Sequence, residues 1–339
     1  MMTAVERARA NLPGLALCLS LALVSATLAD QDWVRETLRL SPLLLVVLLG
    51  MVVGTLWALP PSFGPGIATA QKPVLKWAVA GLGLKLSAPK LLEIGGPALV
   101  VVTVATLGSL AFGWWLALRM GAGHRLAVLL SVGTSVCGAS AVVAADSVVQ
   151  SKGEEAALAL GTITLWGTVG IFVMPWIGHA LGMSDFAYGV WAGATLQETA
   201  QVVAGAEGYS QGSIAVATVV KLARICWLAP IVFFLALWLG SLGVRTGAAK
   251  VQAVPWFLVA FVLLAAFNSV APSFGFAEEW SGQANRAVQI LLTVGMAGVG
   301  LKTDLKELAR AGWLPVGIGL GQMLFLASLA YVLAQAIGV

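Results

Sequence analysis

Charge is what this sequence most lacks. Of its 339 residues only 10% are Asp, Glu, Lys or Arg, whereas 59% are hydrophobic and the mean hydropathy is +0.94. An ordinary soluble domain carries about 25% charged residues and covers its surface with them. A chain this poor in charge cannot do so, and its solvent is expected to be lipid. Cysteine is scarce too: Cys18, Cys137 and Cys226 lie far apart, each inside an apolar run. That spacing excludes a secreted disulfide framework and a zinc-knuckle pattern. The two histidines, His124 and His179, fall at the ends of apolar runs, away from any nucleophile they could activate. With no metal-ligand cluster and no cofactor motif, an intramembrane enzyme built on Cys137 or Glu198 has little to stand on. The expectation is therefore no enzyme, no catalytic residue, no metal and no cofactor beyond a coupling H⁺ or Na⁺. The formal net charge of +4 comes without a basic run or a patterned aromatic platform, so nucleic acid is not an expected partner.

What is present is oil, divided by polar or Pro/Gly punctuation. At about 20 apolar residues per spanning helix, the runs predict eleven spans. They fall near residues 12–29, 42–59, 73–88, 97–118, 125–148, 155–180, 186–206, 212–240, 255–270, 285–301 and 313–337. No polar stretch between them is long enough for a soluble domain. Pro42, Pro97 and Pro255 stand at span starts, where a missing N–H is harmless. Pro175 and Pro230 lie deep inside spans and predict kinks. The opening MMTAVERARANLPGLALCLS resembles a signal peptide in its basic start and apolar stretch, but no small-residue cleavage pattern precedes a soluble body. It reads as a first transmembrane helix. Lys and Arg near span ends set the orientation. With the N-terminus inside, inner loops hold Arg7, Arg9, Lys72, Lys76, Arg119, Arg125, Arg245, Lys250, Lys302, Lys306 and Arg310, against Arg35, Arg39, Lys85, Lys90, Lys152 and Arg286 outside. This bias predicts a cytoplasmic N-terminus. Lys85 and Lys302 end their spans and read as interface anchors, and the thirteen tryptophans mostly flank spans as an aromatic belt would.

The chain repeats itself. GLGLKLSAPKLLEIGG at 81–96 matches GVGLKTDLKELARAGW at 298–313 at a constant offset of 217, with Gly81/Gly298, Gly83/Gly300, Leu84/Leu301, Lys85/Lys302, Leu91/Leu308 and Gly95/Gly312 identical. PSFG at 61–64 recurs at 272–275. An odd number of span steps separates the copies, so equivalent helices are expected to run oppositely through the membrane. Inverted repeats are typical of secondary transporters, whose substrate site lies near mid-membrane at the repeat interface. A weaker second pair, CGASAVVAAD at 137–146 and LQETAQVVAG at 196–205, joins a polar-interrupted segment to a proline-containing helix in each case. The resulting expectation is an all-α polytopic membrane protein of about eleven helices, forming one transmembrane domain over 1–339. Its repeat-related segments are 42–118 and 255–337, and its central broken-helix units are 125–180 and 186–240.

Three stretches carry chemistry. GTSVCGAS at 133–140 places Ser135, Cys137, Gly138 and Ser140 inside a span. Small hydroxyl residues and glycine weaken a helix there and can re-satisfy the freed backbone. A break would aim a half-helix N-terminus inward as an anion site, although the same residues would also suit close helix packing. GATLQETAQ at 193–201 adds Gln197, Glu198 and Gln201. A charge at mid-membrane costs about 2.5–3.5 kcal/mol on insertion scales, which makes Glu198 a candidate to bind a proton, ligate Na⁺ or pair with a cation. VVKLARICWLAP at 219–230 carries Lys221 and Arg224 on one helix face, while the aligned positions of the earlier helix are Trp166 and Val169. Two cations against one carboxylate leave a positive surplus that a negative substrate would balance, and Arg suits oxyanions. Pairing of the cations with Glu198 or Asp146 is the compatible structural alternative.

The blocks CGASA, GAT-x-x-E-x-AQVV and K-x-x-R, in that order, resemble the YeiH-type sulfate exporter family of bacterial inner-membrane proteins. The likeness runs through nearly the whole chain, including GLGLKL. It implies a secondary transporter with crossed, broken helices that exports sulfate, sulfite or organosulfonates. Carried over, it marks Cys137, Gly138, Ser140, Glu198, Gln201, Lys221 and Arg224. Members of that family commonly carry His before the glutamate. Gln197 stands there in this chain, which leaves a His-based relay without support. Residues and resemblance together lead to a carrier of a small anion, possessing the substrate-binding set Ser135, Cys137, Gly138, Ser140, Gln197, Glu198, Gln201, Lys221 and Arg224, with Glu198 taking the coupling ion. Its expected partners are the anion, membrane lipid and, by analogy, a second copy in a homodimer. The runner-up is a Na⁺/H⁺-type cation antiporter using Glu198.

Overall fold

The computed structural model describes residues 4–31, 41–57, 59–85, 88–151, 153–241, 256–270, 278–303 and 312–338. Arg35, Arg39, Lys152, Arg245, Lys250, Pro255, the second PSFG copy, Lys306, Leu308 and Arg310 lie outside the described residues. Every regular element described is a helix. In chain order they are α1 (Ala4–Ala29), α2 (Pro42–Leu56), α3 (Gly64–Thr69), α4 (Leu75–Gly81), α5 (Ala88–Arg119), α6 (His124–Ser135), α7 (Ala139–Val149), α8 (Gly153–Ala180), α9 (Asp185–Thr195), α10 (Thr199–Glu207), α11 (Gln211–Cys226), α12 (Leu228–Ser241), α13 (Trp256–Val270), α14 (Glu278–Lys302) and α15 (Trp313–Ala336).

Among the described residues, six stretches are long and apolar enough to cross a membrane: Arg9–Ala29, Ala98–Arg119, Gly153–Ala180, Gln211–Leu239, Gly282–Lys302 and Trp313–Ala336. Pro42–Leu56, Ala139–Val149 and Trp256–Val270 are shorter apolar helices. Large apolar side chains such as Leu23, Val143, Trp176, Phe234 and Leu263 stand outward, as they do where the solvent is lipid. The chain is thus an all-helical, multi-pass membrane protein.

Several expected spans are not single helices. Residues 125–148 divide between α6 and α7, and residues 186–206 between α9 and α10. The run 212–240 changes helix at Trp227. Pro230 explains the last case, because its ring opposes the carbonyl four residues back, at Cys226. Pro73 acts similarly in the first repeat copy, where Ala70–Val74 widens to a π-turn between α3 and α4. Pro42 opens α2 as expected, behind Ser41, whose Oγ accepts from Leu44 N at 3.3 Å. Pro97 does not open its helix: α5 begins at Ala88, and only its spanning part starts after Pro97.

The chain forms two compact units. The first joins residues 1–91 to 256–306, and the second joins 92–255 to 307–339. In the first unit the repeat copies pack reciprocally. A Cβ on Gly81 would meet Val288 at 2.5 Å, and one on Gly298 would meet Gln71 N at 2.9 Å. These two contacts are images of each other at the 217-residue offset. Gly83 approaches Phe261 of α13 in one copy, and Gly300 approaches Val47 of α2 in the other, with carbonyl oxygens 2.2 and 2.5 Å from the ideal Cβ positions. Residue i touching j′ while j touches i′ is what a two-fold relation between the copies requires.

The second unit contains α6–α12, most of α5, and α15. Its weaker repeat is legible in the helix ends: an offset of 60 carries the interruption at 136–138 onto that at 196–198. The structural register therefore pairs Gly138 with Glu198 and Cys137 with Gln197, one residue away from the pairing read off the sequence. Helix termini fix this register, and residue identities do not. Gly193 lets α9 lie directly on α11, its ideal Cβ position being 2.5 Å from Ala217 O. Trp166 and Trp191 each donate an indole N–H to α15, to Val316 O and Ala327 O, both at 2.8 Å.

Candidate functional site

The second unit brings its two interruptions together. α6 ends at Ser135; Val136 and Cys137 bridge to Gly138, which adopts φ 69° and starts α7. Only glycine takes that backbone conformation without strain. α9 ends at Thr195, and Leu196 and Glu198 are extended on the way into α10. The bridges meet at Gly138, where an added Cβ would stand 2.6 Å from Glu198 Cγ and 3.4 Å from Gln197 O.

Glu198 is the N-cap of α10. Its side chain accepts from the Gln201 backbone N–H, while Gln201 Oε1 accepts from Glu198 N at 3.0 Å, completing a capping box. Gly167 of α8 leaves room for that amide, since a Cβ there would fall 2.1 Å from Gln201 Oε1. Gln201 is buried, whereas Glu198, Thr199 and Ala139 are half-buried and Ser140 is exposed. The starts of α7 and α10 are therefore the reachable part of an otherwise closed crossing.

Behind them lie Lys221 and Arg224, both 0% exposed. Lys221 Nζ donates to Val136 O at 2.9 Å, to Leu196 O at 2.8 Å and to Gln197 O. Arg224 Nε donates to Ser135 O at 2.5 Å, Nη1 to Leu196 O at 3.0 Å, and Nη2 to Thr134 O. The last carbonyls of α6 and the carbonyls just beyond α9 are thus held by two side chains of α11. Every hydrogen bond described for these two side chains goes to a main-chain oxygen.

Eight of the nine expected site residues share this neighbourhood: Ser135, Cys137, Gly138, Gln197, Glu198, Gln201, Lys221 and Arg224. Ser140 sits two residues into α7 on its exposed side. Asp146, weighed as a partner for the cations, instead holds the turn after α7, its Oδ1 accepting from Ser151 N at 3.0 Å and Ser151 Oγ at 2.5 Å.

A buried polar hub went unnoticed in the sequence. The two N–H groups of Gln322 Nε2, on α15, are shared among four acceptors, Ser109 O and Ser131 O at 3.1 Å, Ser109 Oγ at 3.2 Å and Ser135 Oγ at 3.1 Å. Ser135 Oγ in turn donates to Ser109 Oγ at 2.9 Å. Gln322 thereby ties α5 and α15 to the last residue of α6. The available signal was an amide inside an apolar span, the same anomaly that singled out Gln197. Among the described residues, Gln322 Oε1, and Thr195 Oγ1 and Gln197 Oε1 at the α9 interruption, are buried without a hydrogen-bond partner.

The family described as Conserved hypothetical protein 698 matches residues 13–319. A UPF0324 membrane protein of Agrobacterium fabrum is 32% identical over 326 residues, covering 95% of this chain and 90% of its own length. One from Yersinia pestis is 29% identical over 348 residues, covering 95% and 94% respectively. One from Bordetella pertussis is 30% identical over 322 residues, covering 92% and 91%. The match spans both units and every residue of the crossing, in keeping with the YeiH-type resemblance of its motifs, and the chain belongs to this family of UPF0324 membrane proteins.

Proposed function

We propose that the protein is a secondary transporter, not an enzyme, which carries a small anion by alternating access. The favoured class is a sulfur oxyanion or organosulfonate, exported across the inner membrane with coupling to an ion through Glu198. In this reading the chain crosses the membrane eleven times with its N-terminus in the cytoplasm. Its repeats are inverted, and the interruptions at 136–138 and 196–198 lie at mid-membrane.

The observation that carries the reading is the meeting of the α7 and α10 starts at Gly138 and Glu198, with Lys221 and Arg224 buried behind them. The first N–H groups of a helix have no partner within it, and each start carries roughly half a positive charge. The carbonyl ends of α6 and α9 contribute about the same with opposite sign. Two cations and one carboxylate then leave roughly one positive charge at the crossing, which an anion neutralises. The Thr195 hydroxyl, buried and unpartnered on the same interruption, is a further donor.

The test is flux in liposomes containing the purified chain. Sulfite, sulfate and an alkanesulfonate are offered on one side and followed on the other. Uptake of at least one, saturable and abolished by Gly138→Trp at the crossing, is the expected outcome. Na⁺-driven proton movement with no anion present would replace this reading by the cation antiporter.

A further inference from the structure

The crossing needs a device to keep two interrupted helices in fixed register. An α-helix leaves its last carbonyls without partners, and in an apolar interior each must find a donor. At α6 the Gly133 carbonyl is taken by Gly138 N, and at α9 the Ala192 carbonyl by Leu196 N, both at 2.9 Å. Thr134 O, Ser135 O, Val136 O, Leu196 O and Gln197 O receive their donors from Lys221 and Arg224 alone among the bonds described.

Two details give this arrangement meaning. Val136 and Leu196 are equivalent at the 60-residue offset, and both carbonyls converge on one atom, Lys221 Nζ. The ammonium thus stands where the pseudo-symmetry of the two interruptions brings like to like. Leu196 O also accepts from Arg224, so the two cations share a carbonyl and act as one body. Three carbonyl acceptors around one amine match the three N–H donors of an ammonium. Arg224 presents its guanidinium as a fork across consecutive carbonyls, Thr134 and Ser135, which a point charge cannot match.

We propose that Lys221 and Arg224 are positioning residues, a single cationic cap that closes the carbonyl ends of both interrupted helices and so sets the α7 and α10 starts side by side. The anion, on the reading above, touches the helix starts and not the cations. One cap serves two helices, so loosening either cation releases both interruptions together.

Hydrogen–deuterium exchange on the purified full chain, with no ligand added, tests this independently of transport. The charge-conserving variants Arg224→Lys and Lys221→Arg are compared with wild type. Exchange at 133–138 and at 194–198 is expected to rise at least tenfold in each variant, at both segments, although the substitution is on α11. A rise at one segment alone, or at neither, overturns the proposal. Should either variant fail to accumulate, wild type carries the test: the two segments are expected to open with one common rate constant, and two distinct rates overturn the shared cap. Sulfite, sulfate and methanesulfonate binding is then measured by calorimetry. In Arg224→Lys the affinity is expected to fall about tenfold with the order of preference among the three anions kept. A changed order with unchanged exchange makes Arg224 a direct ligand and sinks the proposal. Wild type binding none of the three counts against the anion reading, while the exchange result still decides the cap.

Discussion

Gly138 and Glu198 stand in direct contact where the two interrupted helices meet, with no space for a methyl group between them: the ideal Cβ position on residue 138 is 2.6 Å from Glu198 Cγ. Gly138→Ala is expected to fail twice over. Its φ of 69° costs a side chain about 1–3 kcal/mol, and the methyl group must push Glu198 off its cap. A clear drop in the detergent-solubilised unfolding temperature is the expected outcome. An unchanged midpoint would show that the bridge at 136–138 re-forms without cost.

The capping box offers a cleaner comparison. Gly167→Ala would gain about 0.5–1 kcal/mol in helix propensity, but its methyl group falls 2.1 Å from Gln201 Oε1. Overpacking of that kind costs about 1–3 kcal/mol, so the net effect is expected to be destabilising. Gln201→Leu loses the cap itself, worth about 0.5–2 kcal/mol. Because both act on one amide, the double variant is expected to lose less than the two singles combined. Additive losses in a denaturant-unfolding cycle would disconnect Gly167 from the cap.

Gln322 should matter more than its place in an apolar helix suggests. Gln322→Leu keeps the volume but strips donors from Ser109, Ser131 and Ser135. The carbonyls keep their helix bonds and the two hydroxyls their mutual bond, so each lost hydrogen bond is expected to cost about 0.5–1.5 kcal/mol. Ser109→Ala removes one hydroxyl and leaves the Gln322 bonds to Ser131 O and Ser135 Oγ in place, so it is expected to be milder. Thermal unfolding of the two variants ranks them; equal effects would contradict the hub.

Glu198→Gln separates capping from charge. The amide oxygen can still accept from Gln201 N, so folding is expected to survive, but the residue no longer titrates. If Glu198 takes the coupling proton, wild-type flux of an alkanesulfonate depends on pH while the variant's does not. The sulfonate is the right probe because its own charge stays fixed across the range. A pH dependence identical in both proteins would remove Glu198 from coupling.

Much of this site was legible as a set of anomalies. A carboxylate, amides and two cations in apolar runs are conspicuous because burial of such groups is costly. Gly138 in GTSVCGAS advertised a backbone that a plain helix does not need. Hydropathy alone did not register a break three residues long within 125–148 or 186–206; the expectation of broken segments there came from the glycine, hydroxyl and amide residues of GTSVCGAS and GATLQETAQ. Gln322 escaped notice because a single amide in a 24-residue helix changes the mean hydropathy little.

Composition by itself determined the lipid solvent and the helical architecture, since a backbone with no water around it must bond within its own segment. The match of GLGLK at 81–85 with GVGLK at 298–302 marked two related copies, and these pack reciprocally in the first unit. What the tertiary structure alone decided is whom the charges answer. Lys221 meets Val136 across 85 residues, Arg224 meets Thr134 across 90, and Gln322 meets Ser109 across 213. A carbonyl has no identity in a sequence, because every residue supplies one. Only folding, by ending α6 and α9 beside α11, left those five carbonyls in want of donors and made Lys221 and Arg224 their cap.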